Sequence, residues 1–80
     1  MKDKLNIQIK TPAGRICHAT EAYNIATKKV DVHVLHKVDN DHRVHAREEY
    51  HESDTPEIKG LYLTIALLRI DGFTEKNHAG

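Results

Sequence analysis

Residues 30–51, VDVHVLHKVDNDHRVHAREEYH, alternate between apolar and polar side chains in two runs separated by turn residues. A period of two is the pattern of strands with one buried face, so this stretch has to be accommodated in a sheet. In the first run Val30, Val32, Val34, His36 and Val38 point one way, and Asp31, His33, Leu35 and Lys37 the other. In the second, Val44, Ala46, Glu48 and Tyr50 oppose His45, Arg47, Glu49 and His51. The DNDH between them is turn chemistry, because Asn and Asp tolerate positive φ. The two runs therefore form a β-hairpin. Matching apolar to apolar pairs Val38 with Val44, Val34 with Glu48 and Val32 with Tyr50. It leaves a three-residue loop over 40–42, closed by Asp39 opposite Arg43. A slip of one residue would turn one strand over relative to the other.

A second hairpin opens the chain. KLNIQIK places Leu5, Ile7 and Ile9 on one face, and RICHA is its return strand. In TPAG, Pro12 suits the first central position of a type I turn and Gly14 the left-handed residue that follows. Pairing Thr11 with Arg15 sets Ile9 against Cys17 and Ile7 against Ala19, and turns His18 outward opposite Gln8. Residues 20–29, TEAYNIATKK, are expected to form an irregular or short helical connection, with Thr20 as a possible cap.

Residues 54–72 carry conflicting signals. Asp54 or Thr55 can cap a helix, Pro56 suits its first position and Glu57 its first turn. Gly72 sits where a helix stop belongs. Yet Gly60 interrupts the run, which is apolar on every side, as a central strand would be. Four strands with one apolar face need a cover, and only this segment can supply it. The reading adopted is α+β: a mostly antiparallel four-stranded sheet of two hairpins covered by a C-terminal helix. The alternative is an all-β small barrel or sandwich with residues 61–70 as a fifth strand. Ile58, Leu61, Ile65 and Leu68 form one helical face and are expected to cover the sheet. Leu63, Leu67 and Ile70 lie on a second apolar face. One small sheet cannot bury both, so Leu61, Leu63, Leu67 and Ile70 are assigned to a homodimer interface. Residues 1–74 are expected to form a single domain, with 75–80 as a flexible tail.

Eighty residues build a modest core, which small domains supplement with disulfides, a metal or a partner subunit. Cys17 is the only cysteine, so no disulfide can form within the chain. Met1 is expected to begin a complete small protein. No apolar leader follows it, and the lone cysteine suits a reducing setting, so a soluble, cytoplasmic protein is expected. The longest apolar run, LYLTIALLRI, is about half what a bilayer requires.

Twelve basic and twelve acidic residues leave no net charge, and there are only four aromatics. That balance disfavours nucleic-acid binding unless folding gathers a basic face. No phosphate-binding glycine loop, zinc-binding helix motif or nucleophile elbow is present. The chemistry-bearing residues are the histidines of the second hairpin. The alternation splits them: His33, His45 and His51 on the polar face, His36 on the apolar face and His42 in the turn. In the register above, Asp31, His33, Glu49 and His51 form one compact group, a pH-sensitive face or a weak Zn²⁺ or Ni²⁺ site. Otherwise no cofactor is expected. Glu48, Glu49, Glu52, Asp54 and Glu57 make a candidate acidic recognition surface. Cys17 is expected to be a buried, inert thiol.

These features favour a small non-enzymatic binding module, a regulatory or accessory protein working through protein contacts with a partner the sequence does not name. An inhibitor or adaptor of a phage or mobile element would have this size. The alternatives are a weak divalent-metal binder, and a small enzyme whose site forms at a dimer interface from Cys17, His36 or Tyr50.

Overall fold

The computed structural model describes residues 6–79, with side chains described through residue 75. Leu5 of the expected first strand, Gly80 and the side chain of His78 lie outside the described residues. Four strands run as an antiparallel meander in the order β1-β2-β3-β4, and one helix follows. They are β1 (Asn6–Lys10), β2 (Ile16–Asn24), β3 (Lys29–Lys37), β4 (Arg43–His51) and α1 (Pro56–Ala79). The fold is α+β, and 61–70 is helical.

The first hairpin has the expected register: Ile9 opposes Cys17, Ile7 opposes Ala19 and Gln8 opposes His18. The Thr11 amide donates to the Arg15 carbonyl at 2.9 Å. Gly14 takes φ 91°, the left-handed conformation a side chain would resist.

Residues 20–29 differ from expectation. β2 continues to Asn24, which pairs with Lys29. Asn24 decides this. Its Oδ1 accepts the amides of Ala26 at 2.9 Å and Thr27 at 3.3 Å, so the side chain itself builds the turn. Lys28, at φ 60°, completes it.

The second hairpin forms in a register two residues from the expected one. Val34 opposes Ala46, Val32 opposes Glu48 and Val30 opposes Tyr50. A shift of two preserves every face, so alternation alone could not detect it. The turn makes the choice. Instead of facing Arg43, Asp39 folds into its own loop, where Oδ1 accepts the amides of Asp41 at 2.8 Å and His42 at 3.0 Å.

Thr55 caps the helix, its Oγ1 accepting the Ile58 amide at 3.3 Å. Asp54 works one step earlier, its Oδ2 accepting the His51 amide at 3.0 Å. Gly72 does not stop the helix, which runs on to Ala79. A tertiary anchor sits beside it. Asp71 accepts from the Thr11 hydroxyl at 2.6 Å, the Ala13 amide at 3.1 Å and Arg15 Nη1 at 2.8 Å, tying the helix to the first turn.

The helix lies on one face of the sheet, mainly over β3 and β4. The core is Cys17, Ala19, Val32, Val34, Val44, Ala46 and Tyr50 from the sheet against Ala66, Leu67 and Ile70 from the helix. This reverses the expected roles of the helix faces. Leu67 and Ile70, assigned to a dimer, are buried in the protomer's own core, and Leu63 packs against that core. Of the four assigned interface residues only Leu61 is exposed. The face expected to cover the sheet points to solvent. The reason is that the run is apolar all round, so periodicity marks no preferred side.

Candidate functional site

Among the described residues, α1 packs on one face of the sheet and leaves the second face uncovered. Reading across the registers, its rows are Gln8–His18–Leu35–His45 and Asn6–Thr20–His33–Arg47, then Ala22–Asp31–Glu49 and Asn24–Lys29–His51, with the pairs Lys10–Ile16 and Lys37–Arg43 at the near end. The two-residue shift rearranges the expected histidine group. His33 faces Arg47 rather than Glu49, and His51 faces Lys29 rather than Asp31. Arg47 Nη2 bonds Asp31 at 2.8 Å and Glu49 at 3.1 Å, and Lys29 Nζ stands 3.8 Å from Glu49. The carboxylates of the expected metal group are therefore held by cations. His33 turns instead to His45: Nδ1 of the first lies 3.0 Å from Nε2 of the second. Among the described residues, no three metal-ligating side chains converge.

The acidic surface is also divided. Glu48 sits on the helix-facing side, only 14% exposed at its side chain, with Arg69 Nη2 3.1 Å from its Oε2. That contact is an ion pair without hydrogen-bond alignment. Glu48 is thus removed from the recognition surface, and Glu49 lies on the opposite face of the sheet. Glu52 accepts from the Tyr23 hydroxyl at 3.2 Å, and Glu57 is exposed in the first helical turn.

The three residues named for an interfacial enzyme are each engaged elsewhere. Cys17 is 1% exposed and its thiol points to the Arg15 carbonyl at 3.8 Å. Burial pushes that thiol up, Asp71 adds to the rise and Arg15 opposes it. His36 Nδ1 donates to the Ile16 carbonyl at 2.8 Å. The Tyr50 hydroxyl donates to Glu21; burial, then this bond and the Glu21 charge, raise its pKa far above the ordinary tyrosine value.

The remaining feature is the outer face of α1. Ile58, Leu61, Ile65 and Leu68 are 39%, 59%, 41% and 51% exposed. With Tyr62, the first three line a shallow apolar depression of about 240 Å³. Their spacing of three, four and three residues is the seam by which one helix packs on another, with Ile at one position of the repeat and Leu at the other. Beside the seam, Gly60 presents open space where a side chain would stand, and the Thr64 hydroxyl is turned back onto the Gly60 carbonyl at 3.0 Å. Both leave room for a close neighbour. Lys59, next to Ile58, is turned aside with Nζ 5.6 Å from the centre of the Tyr50 ring, and Arg69, next to Leu68, reaches Glu48 at 3.1 Å. The 3-4-3 spacing was present in the sequence. There it marks one helical face, expected to cover the sheet, whereas the structure turns that face to solvent. No helix among the described residues is long and apolar enough to cross a membrane. Set against family models, curated proteins and solved structures, the chain matches none of them.

Proposed function

We infer that this chain is a small non-enzymatic binding module that works as a homodimer, joined along the outer face of α1. The observation that carries the reading is the exposed Ile58–Leu61–Ile65–Leu68 seam, which is self-complementary because two copies interdigitate at the same spacing. Ile and Leu alternating at the two core positions favour a two-helix association. The magnitude sets its strength. Full burial of an aliphatic side chain is worth about 1.5–3 kcal/mol, and these are about half exposed already, so eight of them across a dimer contribute roughly 6–12 kcal/mol. Association costs about 4–15 kcal/mol in lost freedom. The dimer is therefore expected in the micromolar range or weaker, about −8 kcal/mol at its tightest. That suits a regulatory module whose assembly responds to concentration. Sedimentation equilibrium from about 1 µM to 1 mM tests it: the mass should rise with concentration from that of one chain toward that of two. Ile65→Glu should hold the protein at one chain while its circular dichroism stays unchanged. A single-chain mass throughout removes the reading.

A further inference from the structure

His33 and His45 form a pair that neither the strand alternation nor the metal-ligand spacing of the sequence singles out. They stand diagonally on adjacent strands, since His33 opposes Arg47 and Leu35 opposes His45. Their rings are 12° from parallel with centroids 5.2 Å apart, and the facing nitrogens are 3.0 Å apart. The two nitrogens thus lie nearly on the line between the ring centres, and in the neutral pair one proton sits between them. Two imidazole nitrogens held on one ion at about 2.0–2.1 Å are themselves roughly 2.9–3.4 Å apart. The pair already has that separation.

We propose that His33 Nδ1 and His45 Nε2 form a two-histidine site for a divalent first-row transition ion, Cu²⁺ binding most tightly and Ni²⁺ and Zn²⁺ less so. The ion takes the place of the shared proton. The ring that carried it shifts that proton to its outward nitrogen, so both facing nitrogens present lone pairs and no net proton is released near neutral pH. The lone pairs must then swing from facing each other to converging on one point. His45 is exposed, His33 is half-buried, and no helix among the described residues covers this face, so the rings have room to turn.

On the His33 side stand Arg47, Asp31, Glu49 and Lys29, two cations and two carboxylates joined to one another, so the excess charge near the ion is the positive charge of the next row on the His45 side. Lys37 and Arg43 stand one row beyond, and His18 lies across Leu35. With two protein ligands and water in the other positions, binding is expected in the micromolar range, the order of an unsupported site.

The test is titration of the full chain with CuCl₂, NiCl₂ and ZnCl₂ at pH 7.5, with electron paramagnetic resonance of the copper complex. Expected are splitting from two nitrogens, at least a tenfold weaker affinity in His33→Ala and in His45→Ala, and unchanged affinity in His51→Ala and His42→Ala. Both lead variants alter surface rings, and an amide NMR map of each checks that the fold persists. If His33→Gln and His45→Gln bind copper like the unaltered chain, or His51→Ala loses affinity equally, the assignment is overturned.

Discussion

Replacing Asp71 with Ala tests how a chain this small holds its long helix on its sheet. The carboxylate accepts from Thr11 at 2.6 Å, Ala13 at 3.1 Å and Arg15 at 2.8 Å, with its own side chain 11% exposed. A hydrogen bond to a charged group is worth about 1.5–3 kcal/mol net, and three to one acceptor do not add in full. Breaking a fully buried ion pair costs about 3–5 kcal/mol, and Arg15, 22% exposed, regains some water. The expected loss is therefore about 2–4 kcal/mol, against a total of roughly 4–12 kcal/mol for a domain of this length. At about 4–8 °C per kcal/mol, Tm should fall by roughly 10–30 °C in calorimetry. Burial pushes the Asp71 carboxyl up, but the Thr11 and Arg15 bonds, the Ala13 amide and the Arg15 charge outweigh it and leave the carboxyl below the ordinary aspartate value. A lowered folded pKa means that the unfolded chain takes up the proton first as pH falls. The contribution is thus complete above the ordinary aspartate value and is lost as pH drops through the lowered one. Asp71→Asn should flatten this acid limb of stability while keeping an acceptor for Thr11. A loss below about 0.5 kcal/mol for Asp71→Ala, the range of ordinary surface changes, would refute the anchoring argument.

Two further outcomes follow from the same packing. Cys17, buried with a raised pKa, should react with a thiol reagent orders of magnitude more slowly in the native state than in denaturant, and rapid native labelling would contradict its place in the core. Tyr50→Phe strips Glu21 of its hydroxyl donor across β3 and should cost about 1.5–3 kcal/mol in urea unfolding, whereas an unchanged midpoint would show that the bond contributes nothing.

The strands were legible because alternation survives any register shift by an even number of residues. For the same reason the register itself was not. TPAG fixed the first hairpin, since Gly14 at positive φ admits one loop length. DNDH left two closures open, and Asp39 chose the longer one by accepting its own loop amides. Residues 20–24 were obscured because Ala22 and Ala26 suggest a helix as readily as a strand, and only the Asn24 side chain, acting as a turn acceptor, settles it. The helix was recognisable from Thr55, Pro56 and Glu57 at its start. Its end was not, because the Asp71 contacts that hold it beyond Gly72 join residues far apart in sequence. Its orientation was hidden by the absence of a polar stripe. The histidine pair depended on the register, so His33 could be named but its neighbour could not.

The direct test of the dimer compares one substitution on each side of α1. Leu61→Glu lies on the exposed seam, and Leu67→Glu falls among Ala66, Ile70 and the sheet core. Sedimentation equilibrium at several hundred micromolar, with circular dichroism on the same samples, reads mass and fold together. The unaltered chain is expected to approach twice 9.1 kDa, Leu61→Glu to stay folded at the single-chain mass, and Leu67→Glu to lose its fold. A folded Leu61→Glu variant that still dimerises, or an unaltered chain that stays at the single-chain mass, would contradict the dimer.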